Sequence, residues 1–247
     1  MTESSTNDGG LRDELRGLRG LRVGKWAKYA LTRWIGRAFW FDHLGAAIEY
    51  AMRRHRERRR PLTYYEFGTG SGSTLQRAIS ILRRIPDSRI YLFDSFAGLP
   101  AVSSPRDALL GWREGGFAFS EEYIRQVIVR SGFPLGRVSI YKGYFEQTLT
   151  ATLREELGAV PPAFVTVDAD YYSSTRAVLE FLMPLLVSGA TFYFDDLWSF
   201  DGHPEYGQLK AIADFNQACG RGQLTPNPIF GNRIYTYYNH EFEFRSS

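Results

Sequence analysis

The stretch YYEFGTGSGST, residues 64–74, decides the fold. An aromatic run reads as a strand, three glycines at alternate positions read as a tight turn, and Ser73 opens a helical pattern, STLQRAISILRRI, over 73–85. Glycines at Gly68, Gly70 and Gly72 let backbone N–H groups approach a ligand closely at the start of a helix. Outward from this turn the chain alternates. Strands are expected over 62–67, 89–94, 137–143, 163–170 and 189–196. Helices are expected over 73–85, 120–131, 175–186 (broken late by Pro184) and 205–219. This alternation is the mark of a parallel sheet with crossover helices. The end, NPIFGNRIYTYYNHEFEF, carries two β-rich runs around Gly231-Asn232 and predicts an antiparallel hairpin that completes the sheet. The fold class is therefore α/β: a Rossmann-like, mostly parallel seven-stranded sheet with helices on both faces and a C-terminal hairpin. No internal repeat is apparent.

Ahead of the first strand the composition changes. Residues 1–10 are polar and Gly-rich and are expected to be a disordered tail. Residues 11–60 read as a basic helical arm in which Arg and Lys interleave with Leu, Trp and Phe at helical spacing, including a helix over 38–58. The remaining domain is 61–247. Residues 1–60 hold 14 Lys and Arg against 7 Asp and Glu, whereas the rest of the chain holds 16 against 20. The net charge of +3 is thus an N-terminal property. That argues against a nucleic-acid enzyme with a basic active-site face. The arm suits either an anionic membrane surface, as peripheral contact, or packing over the active site or a sister subunit in a homo-oligomer. Packing is the commoner use.

The 247 residues, with 44% hydrophobic and 23% charged content, can build one large α/β domain with a sizeable core. Cys219 is the single cysteine, which excludes an intramolecular disulfide framework. The start MTESSTNDGG lacks a basic segment followed by an apolar one, and no apolar run is long enough to cross a membrane. A cytoplasmic protein is expected.

The turn is one half of a nucleoside pocket. Asp94, closing the second strand, is placed to accept hydrogen bonds from ribose hydroxyls. Glu66, Gly68, Thr69, Gly70, Ser73, Asp94, Ser95 and Gly143, with Asp168, form the expected cofactor set. A dinucleotide site would require G-x-G-x-x-G, but here the run is G-T-G-S-G followed by Ser73. The Glu66 carboxylate would repel a pyrophosphate and suits a cationic amino-acid group. Both features favour S-adenosylmethionine.

A second constellation lies at the ends of the fourth and fifth strands: VDADYYSST (167–175) and FDD (194–196). Asp168, Asp170, Asp195 and Asp196 fall at the sheet edge where open α/β folds bind ligands. Carboxylates so close repel one another unless a hard cation joins them, and Mg2+ on Asp168, Asp195 and Asp196 relieves that repulsion. Asp170 is instead expected to cap the following helix. Asp168 is the leading general base, and His203, in the loop SFDGHPEYG, is the other candidate. Tyr171, Tyr172, Trp198 and Phe200 are candidates for an aromatic acceptor wall. The Asp-x-Asp pattern of 168–170 also admits a metal-dependent glycosyltransferase, and a vestigial nucleoside site on a membrane-associating protein is a non-enzymatic alternative.

Between Leu62 and Phe215 the chain resembles the macrocin O-methyltransferase family. The resemblance rests on EFGTGSGST, LFDSFAGLP (92–100), GGFAFSEEYIRQVIVRSGFPLGRVSIYKGYFEQTL (115–149), VDADYYSST and ATFYFDDLWSFDG (190–202). It implies a class I methyltransferase fold, S-adenosylmethionine as methyl donor, and a sugar or other natural-product hydroxyl, small-molecule or glycan, as acceptor. It also implies Mg2+ on Asp168, Asp195 and Asp196, with Asp168 as general base. Where family members commonly carry an acidic residue after the glycine of the third-strand motif, this chain has Tyr144.

Overall fold

Every residue of β1 (Thr63–Phe67) is buried, as befits a parallel strand covered on both faces. The computed structural model describes residues 43–105, 107–231 and 233–240, and β1 lies inside its sheet with a parallel neighbour on each side. The remaining strands are β2 (Arg89–Asp94), β3 (Val138–Lys142), β4 (Phe164–Val167), β5 (Thr191–Phe194), β6 (Gly222–Pro226) and β7 (Ile234–Asn239). Their order is β3-β2-β1-β4-β5-β7-β6. The first five are parallel, and β7 enters antiparallel between β5 and β6.

Side-chain alternation divides the core in two. Tyr65 and Phe67 face one side, with Phe93, Val165, Val167, Phe192 and Phe194, and are covered there by α6 (Tyr172–Leu182) and α7 (Gly207–Ala218). Tyr64 faces the other side, with Ile90, Leu92 and Phe164, beneath α1 (His43–Glu57), α2 (Ser73–Leu82) and α3 (Glu121–Arg130). Two short helices, α4 (Phe145–Thr148) and α5 (Ala151–Leu157), connect β3 to β4. The order reverses between β1 and β4. A crevice at the carboxyl ends of those strands is therefore the natural ligand position.

Three local outcomes differ from expectation. Residues 43–57, read from sequence as part of the arm, form α1, which buries Ala47, Ile48, Ala51 and Met52 and belongs to the same compact unit as the sheet. Arg58 and Arg60, just beyond it, both donate to the Ser188 carbonyl at 2.9 and 2.8 Å. The expected disordered tail, and the arm up to residue 42 with its membrane or subunit contacts, lie outside the described residues.

The closing hairpin also forms differently. Its strands are β6 and β7, and the run beginning Asn227-Pro228 is a loop. Pro228 has no N–H to give a ladder. Buried Asn227 organises the loop, accepting from Ile229 and Phe230 N–H at 2.9 and 3.0 Å and donating to Thr236 Oγ1 at 2.9 Å. The third difference is that β4 ends at Val167, so Asp168 to Asp170 lie beyond the strand. The expected break at Pro184 is present: α6 stops at Leu182 and a single 3-10 turn, Met183–Leu185, follows. No described helix is long and apolar enough to cross a membrane.

Candidate active site

Gly68 must be glycine. Its φ is +80°, and a Cβ built there would stand 1.8 Å from the Asp168 carbonyl oxygen, so the turn after β1 and the end of β4 pass in backbone contact. Gly70 also has positive φ, +47°, but a Cβ there would meet nothing within 4 Å, because Gly70 lines an open cavity of about 470 Å3. Asp94, closing β2, ties this turn down: its Oδ2 accepts from Thr69 N–H at 2.5 Å and its Oδ1 from Phe96 N–H at 2.6 Å. Gly143, after β3, donates its N–H to the Asp94 carbonyl at 2.9 Å.

Of the expected cofactor residues, Gly68, Gly70, Asp94, Ser95, Gly143 and Asp168 line this one cavity. Thr69 is buried and acts through its backbone. Ser73 is exposed in the first turn of α2 and is not among the lining residues. Glu66 lies buried below the lining and accepts a 2.6 Å hydrogen bond from Tyr64 Oη, which also meets Thr166 Oγ1 at 2.8 Å. Burial pushes the Glu66 carboxyl up to about 8, against the lowering effect of the Tyr64 hydrogen bond.

The far wall is acidic. One oxygen from each of Asp168, Asp195 and Asp196 lies within 4.8 Å of the others. Burial holds Asp168 well above the ordinary carboxyl range, and the charges of Asp195 and Asp196 add to this. Burial and the same neighbours raise Asp170 to about 7. Asp196 rises to about 6, through burial and Asp195. Arg233 Nη1 pairs with Asp195 Oδ1 at 2.9 Å, where Tyr193 Oη also donates at 2.6 Å. Three convergent carboxylates are a donor set for a hard divalent cation, which would relieve their mutual repulsion.

Asp170 does not cap the following helix. Its φ is +56° and its N–H donates to Asp196 Oδ2 at 3.1 Å. The α6 terminus is capped by Asp107, whose Oδ1 accepts from Tyr172 N–H at 2.9 Å and whose Oδ2 accepts from Ser173 Oγ at 3.1 Å. His203 is not brought to the cavity. It is exposed, its Nδ1 accepts from Glu205 N–H at 3.2 Å, and its ring meets the edge of Tyr206 at 4.9 Å.

The aromatic wall comes from elsewhere in the chain. Tyr171 is buried, Tyr172 Oη donates to Asp214 at 2.9 Å, Phe200 stacks on Tyr206, and Trp198 packs over Gly202; none of the four lines the cavity. The lining aromatics are Trp112, Phe117, Phe119, Tyr144 and Phe145. The segment after β2 delivers the first three. Leu99 N–H donates to Gly116 O, and Gly115 N–H donates to Leu99 O, each at 3.0 Å. Gly98 permits the crossing, since a Cβ there would lie 2.4 Å from the Gly116 carbonyl oxygen. Phe117 itself holds φ +61° with its side chain largely exposed, a costly conformation for a bulky residue. The aromatic density of GWREGGFAFS between glycines was the sequence signal available for this wall.

Residues 46–220 match the sequence model of the family described as Macrocin-O-methyltransferase (TylF). Over 132 residues the chain is 30% identical to the 8-demethyl-8-(2,3-dimethoxy-alpha-L-rhamnosyl)-tetracenomycin-C 4'-O-methyltransferase of Streptomyces olivaceus. That match covers 51% of this chain and 49% of the relative, so the chain spans about half the length of the curated relative it matches. Among solved structures, the O-methyltransferase NovP superposes with a TM-score of 0.62 at 20% identity, covering 80% of this chain and 79% of that one. The calicheamicin methyltransferase CalS11 superposes with a TM-score of 0.59 at 20% identity, covering 97% and 95%. These superpositions show a shared fold.

Proposed function

The chain belongs to the macrocin O-methyltransferase family, and from that membership we propose that it transfers a methyl group from S-adenosylmethionine to a sugar hydroxyl of a natural product. The observation that carries this reading is the placing of the glycine turn, Asp94 and the three-carboxylate cluster around one cavity. The relative from Streptomyces olivaceus is named as a methyltransferase of a rhamnosyl-bearing tetracenomycin, which supports a glycoside acceptor.

In this reading the turn at Gly68, Thr69 and Gly70 cradles the amino-acid part of the donor, with Glu66 beneath and Ser73 opening the helix behind. Asp94 and Ser95 face the ribose, and Gly143 borders the base. Trp112, Phe117 and Phe119 bind the acceptor and exclude water. Six carboxylates line the cavity, which favours an uncharged acceptor over a phosphorylated one.

Methyl transfer from a sulfonium is an in-line displacement: the acceptor oxygen bonds the methyl carbon, the carbon–sulfur bond breaks, and S-adenosylhomocysteine leaves with the electron pair. The enzyme has to align the two reactants and remove one proton. Asp168, at the end of β4 beside the turn, accepts that proton. Mg2+ held by Asp168, Asp195 and Asp196 would supply Lewis acidity that makes the acceptor hydroxyl easier to deprotonate.

Calorimetric titration with S-adenosylhomocysteine tests the donor site, with a UDP-sugar as control for the glycosyltransferase alternative. We expect binding of the first alone; binding of the UDP-sugar alone would overturn the reading. Methyl transfer to a panel of rhamnosides tests the acceptor. Turnover unaffected by both EDTA and Asp195→Ala would remove the metal and leave the methyltransferase.

A further inference from the structure

We infer that Gln208 is a positioning residue for the carboxylate cluster, a role that rests on the metal-site reading above. The peptide unit between Val167 and Asp168 is held at both ends. Its N–H donates to the Phe67 carbonyl of β1 at 2.9 Å. Its carbonyl, Val167 O, accepts from Asp195 N–H at 3.1 Å and from Gln208 Nε2 at 3.0 Å. A carbonyl oxygen has two lone pairs, and both are engaged here. One peptide plane is thereby fixed from three directions: β1 beside the glycine turn, the end of β5, and α7.

That plane sets where the Asp168 side chain leaves the backbone, and the same carbonyl registers Asp195 against it. Gln208 adds a link the sheet cannot provide. It lies on α7, downstream of Asp195 and Asp196, so its hydrogen bond closes the loop carrying those two acids back onto Val167, the last residue of β4, which leads into Asp168. The helix start is shaped for this reach. Gly207 has φ +52°, and a Cβ there would stand 2.8 Å from the Phe200 ring. Tyr206 at the N-cap makes no side-chain cap bond.

Packing alone does not explain the residue. Gln208 is 1% exposed, and its Oε1 has no hydrogen-bond partner among the described residues. A buried amide acceptor left bare is destabilising relative to an apolar side chain of the same shape, so a core position here would favour Met or Leu. The amide donor explains its presence: it is the group that reaches Val167 O.

The test uses the full-length chain with Gln208→Met and Gln208→Leu. Mn2+ is titrated calorimetrically at saturating S-adenosylhomocysteine, melting temperature is followed by scanning calorimetry, and amide hydrogen exchange is read at Asp195 and Asp196. We expect about tenfold weaker Mn2+ binding in both variants, the size usual for groups that orient metal ligands. Exchange at both amides should be faster, melting temperatures should be no lower than the parent's, and S-adenosylhomocysteine affinity should stay within twofold. Mn2+ affinity and exchange both equal to the parent's in a folded variant would overturn the role. A parent that takes up no Mn2+ would overturn the metal reading separately, and unchanged exchange in the variants would then overturn the positioning of the acids.

Discussion

Asp107 caps the helix that begins at Tyr172, accepting the Tyr172 N–H at 2.9 Å across 65 residues of chain. The same carboxylate takes the Ser173 hydroxyl at 3.1 Å. The segment that carries the aromatic wall is thus anchored to the helix that follows the carboxylate cluster. Asp107→Ala should lose about 1 kcal/mol of stability, the usual cost of a lost N-cap. It should also raise the acceptor KM several-fold while leaving S-adenosylhomocysteine affinity unchanged. Equal effects on both ligands would assign Asp107 to the fold alone.

The two glycines of the turn should fail differently. Gly68→Ala combines positive φ with overlap on a backbone oxygen that cannot move aside, and should cost roughly 2–4 kcal/mol. Gly70→Ala adds only the conformational cost, about 1 kcal/mol. Its methyl group, however, would sit at the cavity wall, so S-adenosylhomocysteine binding should weaken at least tenfold. Denaturant unfolding and calorimetric titration separate the two outcomes.

Trp112 and Phe117 meet edge to face at 6.1 Å and line the same cavity as the acid cluster. Replacing either with Ala should raise the acceptor KM by tenfold or more, since each removes a large contact surface from the acceptor. Donor affinity should hold within twofold. A loss of donor binding instead would assign this wall to the adenosine.

Stability should fall toward acid through His55. It is fully buried, and burial, with the Arg60 charge adding to it and against an opposing interaction with the Pro61 backbone, lowers its pKa from 6.5 to about 4. A depressed folded pKa means that the stability is whole above pH 6.5 and is lost as pH falls through 4. The loss should amount to about 3 kcal/mol at most. His55→Leu should flatten that limb in urea titrations at pH 7 and pH 4.5, and a parallel fall in both proteins would exclude His55 as its source.

Glu66 has the opposite sign. Its folded pKa is raised to about 8, so its contribution is whole below pH 4.5 and is lost as pH rises through 8. Glu66→Gln keeps the acceptor for Tyr64 and removes the charge. The ligand-free variant should therefore be more stable than the parent at pH 8.5 and equal to it at pH 4.5. A donor amine near Glu66 would restore its charge, so the variant should also bind S-adenosylhomocysteine more weakly.

The features legible in the sequence are those with short-range causes. Alternating strands and helices, glycines that permit positive φ at 68, 70 and 72, and acids placed where strands end all follow from local pattern. They were enough to find the cavity floor at Gly68 and Asp94 and the convergent Asp168, Asp195 and Asp196. The last two are neighbours in the chain, and Asp168 directly follows the adjacent parallel strand. What remained hidden depends on distant partners. Asp170 carried the expectation of a cap that Asp107 fulfils, and the aromatic wall lies between 112 and 119, not after the acids. Gln208 reads as an ordinary helix residue until its amide is found 3.0 Å from Val167 O, across 41 residues. Local sequence sets backbone preference and periodicity. Which polar group meets which carbonyl is settled only when the packed sheet brings remote segments within hydrogen-bond reach and burial makes every unpaired donor costly.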